Sequence, residues 1–452
     1  MQAKLLIFCN DEICFSFLIS NELISKIKVD FPQRPVLLNT VFKGKVKRIV
    51  KGMEGAFIDI GLDKDAFLPQ KSESLKVGDS IIVQMVREPE DEKGAKLSSK
   101  IKLKGKFLIY MPNQKKISCS SRIDKEECSK FHNMFEKLLE KDGVLVRSCA
   151  KLASQQELIE DLQKLQQLWQ NTHSRARYLK KPQIILEELP NYLALLKEHW
   201  HEISEIVCDN VNIWHRVSSF LEEFHPQLLK RNTFVKDTHP YFARYDLGNV
   251  LRSLISEVIW LKSGGYITIE ETKAFTVIDV NSGDPQGSSH EENAIITNLE
   301  AAQEIVRQIQ LRDIGGIILI DFIDMKKRES KNRVISELSK LFKDYRCHVN
   351  ILGFTSLGIL EIVKKRTSAS LSQLLSENCK VCKGSGKVKR TSLYTFEIQT
   401  EIRSSSFSEL ELQIPPERKE ETSKAIEKIG FNKVNIVENE NLDINSYNIN
   451  YV

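Results

Sequence analysis

Two strand-like runs in this sequence end in carboxylates. Phe275-Thr276-Val277-Ile278 leads into Asp279 and Asn281, and Ile317-Ile318-Leu319-Ile320 leads into Asp321 and Asp324. Between them Ile295, Ile296, Leu299, Ala302, Val306 and Ile309 recur at the spacing of one helix face, so the order is strand, helix, strand. Such a crossover is right-handed and places both strands parallel in one sheet, with their ends at the same edge. Asp279 and Asn281, two residues apart on an extended chain, then face the same side, and Asp279 and Asp321 can lie about 5 Å apart across the ladder. Two carboxylates that close repel each other unless a proton or a cation intervenes. Oxygen donors alone suit a hard ion, magnesium or manganese, that keeps waters for a phosphate to displace. The chemistry expected is metal-assisted phosphodiester hydrolysis: the ion polarises a non-bridging phosphate oxygen, lowers the pKa of a bound water and stabilises the leaving oxygen. Asn281 would orient that water or hold the phosphate. A single strand-end aspartate is more often a cap for the following loop, and it is the pairing that favours a metal.

A second donor set is Cys379-Lys380-Val381-Cys382-Lys383-Gly384-Ser385-Gly386, a CxxC followed by GxG. The glycines permit the tight turn that brings both thiolates onto one ion, as in a zinc knuckle. A structural zinc takes four ligands and this run supplies two. There is no second CxxC, so either distant Cys or His residues complete the site or a second copy of the chain does. A redox CxxC would need a strand-to-helix setting that nothing nearby resembles.

The elements that must position these groups lie in a chain of 452 residues, enough for two to four domains. A hydrophobic share of 41% and a charged share of 28% are those of a soluble globular protein. The net charge of +5 does not by itself argue for nucleic acid, but Lys43, Lys45, Lys47, Arg48 and Lys51 cluster, as do Lys364, Lys365 and Arg366. No run approaches the roughly 18 apolar residues of a membrane span. Met1 to Ile19 is broken by Asn10, Asp11 and Glu12, so neither a signal peptide nor a span is expected there. Of nine cysteines, seven are scattered at positions 9, 14, 119, 128, 149, 208 and 347, which predicts no disulfide framework and a reduced, cytoplasmic setting.

Residues 1–35 read as short strands ending at Phe31-Pro32-Gln33-Arg34-Pro35. From Val36 to Met85 apolar and polar residues alternate between glycines, predicting a small barrel with basic side chains on one face. Phe57 and Phe67 stand between those glycines, where an OB-fold would stack bases while its cations follow the phosphates; the plainer reading makes both rings core. Phe107–Met111 and Gly143–Arg147 read as strands, and Ser154 with Glu157 forms a capping box opening a helix with Leu158, Leu162, Leu165 and Trp169 on one face. Helical pattern continues to about Leu229, interrupted at Pro182, Pro190 and Pro226. Beyond Cys382 the composition turns polar and uneven, predicting a small appended domain with a frayed tail.

The catalytic block resembles the ribonuclease E/G endoribonucleases. The matching runs are Phe275-Thr276-Val277-Ile278-Asp279-Val280-Asn281-Ser282-Gly283, Thr297-Asn298-Leu299-Glu300-Ala301-Ala302, Leu311-Arg312-Asp313-Ile314-Gly315-Gly316 and Ile320-Asp321-Phe322-Ile323-Asp324-Met325, followed by the single CxxC. The resemblance implies a multidomain α/β chain. Its parts would be an RNase-H-like domain from residues 1–35 and 191–255, an S1-type OB barrel over 36–104 and a 5′-sensor region over 105–190. A deoxyribonuclease-I-like catalytic domain would occupy 256–378, a zinc link 379–389 and a small C-terminal domain 390–452. It further implies that Asp279 and Asp321 hold catalytic magnesium with Asn281 in support. Phe57, Phe67 and Lys93 would line the RNA channel, and Arg147, Ser148, Gly105 and Ile109 would form a pocket for a 5′-monophosphate. Cys379 and Cys382 would share a zinc ion between two protomers, giving a homodimer, or a tetramer as the larger alternative. The function implied is cleavage of single-stranded RNA in rRNA processing and mRNA decay. Two departures stand out: Asp284-Pro285-Gln286 where basic residues are usual, and Ser121 where one relative has an arginine in the 5′ sensor. The rival readings are a non-catalytic S1-type RNA-binding protein, disfavoured because Asp279, Asn281 and Asp321 are all present, and a deoxyribonuclease, disfavoured by the barrel.

Overall fold

The computed structural model describes residues 3–69, 75–89, 94–283, 289–344, 347, 349–366, 368–379, 381–382, 384, 386–404, 409–428 and 434–451. The chain divides into two compact units, residues 1–374 and 375–452.

The apolar N-terminal run folds as a hairpin of strands Ala3–Cys9 and Cys14–Ser20, with Leu5, Leu6, Ile7 and Leu18 fully buried or nearly so. Its polar break is the turn: the Asn10 Oδ1 accepts from the backbone N–H groups of Glu12 and Ile13 at 2.9 and 2.8 Å. Leu23–Asp30 adds a third antiparallel strand. On the other side Ile203–Cys208 pairs parallel with the first strand, and Asn232–Phe234 pairs parallel with Ile203–Cys208. Ile203–Cys208 departs from the helical pattern expected to about Leu229, as does Gln183–Leu186, which pairs with Val41–Val50. Their partners lie far upstream, at Ala3–Cys9 and Val41–Val50, so no local periodicity announces them.

Five strands close the predicted barrel. Val41–Val50 pairs with Gly55–Asp59 and Ser80–Arg87, Gly55–Asp59 with Ala66–Pro69, and Lys96–Ser98 bridges Ala66–Pro69 to Ser80–Arg87. Its core is Phe42, Val46, Ala56, Ile58, Leu68, Val83 and Met85. Beside it Leu103–Lys104, Leu108–Met111, Gly143–Val146 and Ile117–Cys119 form a four-stranded sheet, on which the helix Gln155–Tyr178 packs Leu158, Leu162 and Leu165. That helix begins where the sequence says it should, on the Ser154–Glu157 capping box.

Strands Val258–Trp260, Tyr266–Glu271, Phe275–Asn281, Gly316–Asp321, Ile359–Lys364 and Val349–Phe354 build a six-stranded sheet in that spatial order. The two central strands run parallel and are joined by helix His290–Leu311, as the crossover argument requires. One detail differs from expectation. Ile296 is 53% exposed, because the buried stripe of that helix is centred on Ala294, Ala301, Ala302, Ile305, Val306 and Ile309. Ile317 is also exposed, at 42%, because only one face of the sheet forms the core with the helices; of the apolar run, Ile318 and Ile320 are buried.

Asp313 ties this sheet to the N-terminal one, accepting from Lys28 Nζ and Lys364 Nζ at 2.8 Å each. Burial works against its charge, yet the two ammonium groups override that and hold its carboxyl at about 2. A depressed folded pKa means the stabilisation is complete above the unfolded value near 4 and fades as pH falls toward the folded one. Asp313→Asn should therefore lower stability near neutral pH by about 2 kcal/mol and flatten the acid limb of the stability curve between about pH 4 and 2. Chemical denaturation at pH 7 and pH 3 checks this; an equal deficit at both would show that the ion triad is not the cause.

In the second unit, Leu410–Ile414 pairs with Val434–Glu438 and with Asn448–Tyr451 around Tyr394, Ile398, Ile402 and Leu412. The Asn-rich end is thus a paired strand and not a frayed tail. The structure sets two pairs of the scattered cysteines side by side: Cys9 and Cys14 are register partners across the first hairpin, Cα atoms 4.0 Å apart, and Cys119 and Cys128 lie 5.9 Å apart, each pair close enough to bridge. Cys149, Cys208, Cys347, Cys379 and Cys382 are free.

Candidate functional site

Asp279 and Asp321 are direct partners in the parallel ladder, on the sheet face away from the helices. Asp279 is half-buried and Asp321 exposed, which suits groups that must meet a ligand from solvent. Asn281, on the same face, donates from Nδ2 to the Asp279 Oδ2 at 2.8 Å, so its first role is to fix that carboxylate. Partial burial, then the charges of Asp279 and Asp324, push the Asp321 carboxyl up from its ordinary value. Gly283 is required just beyond Asn281: a Cβ there would sit 2.3 Å from the Gly264 carbonyl carbon.

The loop after Asp321 is held from below by a residue that sequence reasoning quoted but gave no task. Asn298 is fully buried on the apolar face of helix His290–Leu311. It donates to the Ile323 carbonyl at 2.8 Å and accepts from the Ile323 N–H at 3.0 Å. An amide among Ala301, Ala302 and Ile305 was the available signal, since a buried polar group needs a partner. The Glu291 carboxylate adds a second clamp, accepting from the backbone of Lys326 and Lys327 and from the Ser330 hydroxyl. Asn298→Leu should cost about 1–3 kcal/mol by stranding the Ile323 amide. Because the loop carries Asp324 and follows Asp321, the variant should also lose turnover more than substrate affinity, as steady-state kinetics would show; a rise in KM alone would deny it this positioning role.

On the barrel, Phe57 and Phe67 are cross-strand partners with ring centroids 5.5 Å apart, half-buried and outside the barrel core. Gly55 makes room for them, since a Cβ there would lie 2.4 Å from the Phe67 ring. The Arg48 guanidinium stands 4.7 Å over the Phe57 ring, and Lys96 is the register partner of Phe67. Lys93 lies outside the described residues, as do Asp284-Pro285-Gln286. The basic cluster is partly committed elsewhere: Lys43 donates to the carbonyls of Ala176 and Leu179, and Lys47 pairs with Asp59 and Asp65.

Gly105, Arg147 and Ser148 do come together. Arg147 Nη1 donates to the carbonyls of Gly105 and Lys106 at 3.0 Å each, and its other guanidinium nitrogens bond no described residue. Asp161 fixes the same loop, accepting from the N–H groups of Lys106, Phe107 and Leu108. Ser148 follows Arg147 at the start of a short 3-10 turn, and Ile109 sits half-buried on the neighbouring strand. Lys106 lies 4.4 Å over the Trp200 ring, and burial with the charges of Lys106 and Lys197 drives His225 down to about 3. Ser121 is exposed in the turn after strand Ile117–Cys119.

Cys379 is exposed and Cys382 half-buried. Gly384 and Gly386 adopt φ of +89° and +65°, which turns backbone N–H groups of both toward Cys382 and lowers its thiol pKa. Lys380, Lys383 and Ser385 lie outside the described residues. Among the described residues no group of three or more His, Cys, Asp or Glu is placed to hold an ion. No helix among them is long and apolar enough to cross a membrane.

A family model described as the Ribonuclease E/G family matches residues 102–367. Ribonuclease G of Haemophilus influenzae is 33% identical over 411 residues, covering 85% of this chain and 84% of that protein. Ribonuclease G of Escherichia coli is 31% identical over 414 residues, with the same two coverages. Ribonuclease E of Haemophilus influenzae is 29% identical over 396 residues, 82% of this chain but 42% of that longer protein.

Proposed function

The chain belongs to the ribonuclease E/G family and is an endoribonuclease, and from that premise we propose that it hydrolyses single-stranded RNA at a magnesium site held by Asp279 and Asp321. The observation that carries this reading is the ladder pairing of Asp279 with Asp321; partial burial, and after it the charges of Asp279 and Asp324, already disfavour ionisation of Asp321. A cation relieves that repulsion, and oxygen donors with open coordination suit magnesium. Bound there, the ion would supply Lewis-acid stabilisation of the phosphate and an activated water. The chain's own residues do the rest. Asn281 keeps the Asp279 carboxylate oriented, Asn298 and Glu291 fix the loop beyond Asp321, and Phe57, Phe67 and Arg48 grip the strand through stacking and charge, with Lys93 as the further cation the family resemblance implies. The test is cleavage of a 5′-monophosphorylated single-stranded RNA with magnesium, with chelator, and after magnesium is restored. Cleavage should vanish with chelator and return with the metal; undiminished cutting in chelator would reject the metal reading.

Three antiparallel strands followed by two parallel ones in the N-terminal sheet support an RNase-H-like domain, and the mixed six-stranded sheet a deoxyribonuclease-I-like one. The closed barrel is compatible with an S1-type OB fold. The two thiols at Cys379 and Cys382 fit half of a zinc site, and we read the other half as the same pair from a second copy, giving a homodimer. The cellular reading is cytoplasmic rRNA processing and mRNA decay.

The 5′ pocket is read from Arg147, Ser148, Gly105 and Ile109. Anchored through Nη1, and with its other nitrogens bonded to no described residue, the Arg147 guanidinium can offer them to a terminal phosphate, beside the Ser148 hydroxyl and Lys106. RNA bearing a 5′-monophosphate should be cut faster than the same RNA with a 5′-hydroxyl or triphosphate, and Arg147→Ala should shrink that preference mainly through KM. Equal rates for all three ends in the unaltered protein would mean that no sensor operates here.

A further inference from the structure

We propose that Trp260 and Tyr266 form a base-stacking subsite for the RNA strand beside the cleavage centre. This rests on the reading of Asp279 and Asp321 as that centre. The ladder places the rings: Trp260 pairs with Tyr266, and Tyr266 pairs with Asn281. One step along the same face, Val258 pairs with Thr268, Thr268 with Asp279, and Asp279 with Asp321. Register partners point to the same side, so the rings and the carboxylates share the open face. Neighbouring strands are about 4.8 Å apart, which puts Trp260 about 10 Å from Asn281, within reach of a neighbouring nucleotide.

The rings are built as a surface and not as core. Trp260 is 71% exposed although it is the largest side chain on its strand, and the Tyr266 ring lies against it at 5.3 Å between centroids, tilted 56°. An indole left in water contributes little to folding, and a flat apolar face beside a nuclease centre suits a base, which every nucleotide presents whatever its sequence. The position is rigid. Leu261 N–H donates to the Gly265 carbonyl at 2.7 Å and Gly264 takes φ +85° in the connecting turn, while a Cβ on Gly265 would sit 2.7 Å from the Asn281 carbonyl oxygen. The hairpin bearing the rings is thereby keyed to the strand that bears Asp279. On the opposite flank of the carboxylates the same face offers Phe275, Ile317 and Val363, aliphatic and aromatic but with no second ring packed on Phe275 among the described residues, so stacking is assigned to the Trp260 side.

The test uses short single-stranded RNAs that differ only in one abasic ribose, moved through the positions flanking a mapped cleavage site. Equilibrium binding is read by anisotropy in chelator, where no cutting is needed, and cleavage is read separately in magnesium. One or two abasic positions should weaken binding to the unaltered protein by about five- to a hundredfold. Trp260→Leu should weaken binding of the intact RNA comparably and lose the penalty at that position, Tyr266→Leu should do so less, and Trp260→Phe should recover most of it. If the protein binds in this pattern but does not cut, the stacking subsite stands and the cleavage reading falls. Unchanged affinity in Trp260→Leu, or an abasic penalty that persists in it, overturns the subsite. A Trp260→Leu chain that changes its sedimentation while keeping that penalty would make the ring a contact between protomers, which also overturns it.

Discussion

Asp279→Asn and Asp321→Asn should each reduce RNA cleavage by at least about a thousandfold while leaving binding of single-stranded RNA to the barrel nearly unchanged. Each substitution is isosteric and removes one of the two charges that would hold the ion, so the loss falls on stabilisation of the transition state and not on strand affinity. Folding should be spared as well. Asp321 is exposed, and its carboxyl is already pushed up by partial burial and by Asp279 and Asp324, so neutralising it relieves repulsion in the metal-free protein. Asp321→Asn should therefore melt no lower than the unaltered protein without metal, and should lose any stabilisation that magnesium confers. Asp279→Asn has one further consequence, because Asn281 donates to the Asp279 Oδ2 and an amide at position 279 can present nitrogen there instead. Rates within a few fold of the unaltered protein for either variant would remove the carboxylate pair from the chemistry.

The second large effect is expected at the cysteines. Cys379→Ser with Cys382→Ser should abolish zinc binding and shift the protein from dimer to monomer. Two thiolates cannot satisfy a four-coordinate ion, and no third ligand stands near them among the described residues. The Gly386 and Gly384 N–H groups favour the Cys382 thiolate, the form that would bind a metal. Elemental analysis of the intact protein should find about half a zinc per chain, from four ligands per ion. Sedimentation with a strong chelator should reproduce the monomer of the double variant. One zinc per monomer would require ligands within the chain and would exclude the shared site.

Much of the centre was legible because it is written locally. A strand that ends in Asp279 and Asn281, a crossover helix and a strand that ends in Asp321 leave few topologies, and the ladder duly pairs the two aspartates. The Ser154–Glu157 box and the barrel alternation are likewise short-range signals. What escaped depends on partners far away in the chain. Ile203–Cys208 looks unremarkable until the strand Ala3–Cys9 is beside it. Asn298 reads as a stray polar residue until the Ile323 backbone arrives beneath it. Ile317-Ile318-Leu319-Ile320 is apolar throughout although helices cover only one face of its strand, which composition cannot tell. Lys43 and Lys47 looked like an RNA-binding row, yet one meets the end of a helix and the other a pair of aspartates. Charge runs show where cations are, not what they are already holding.

The central claim is that the Asp279–Asp321 pair cuts RNA internally with a divalent ion. A circular single-stranded RNA, which offers no end to an exonuclease or to the 5′ pocket, tests it most directly. With magnesium the protein should convert the circle to a full-length linear product before smaller fragments appear, and neither the chelated protein nor Asp321→Asn should do so. A circle that stays intact while linear RNA of the same sequence is shortened from its ends would contradict the account.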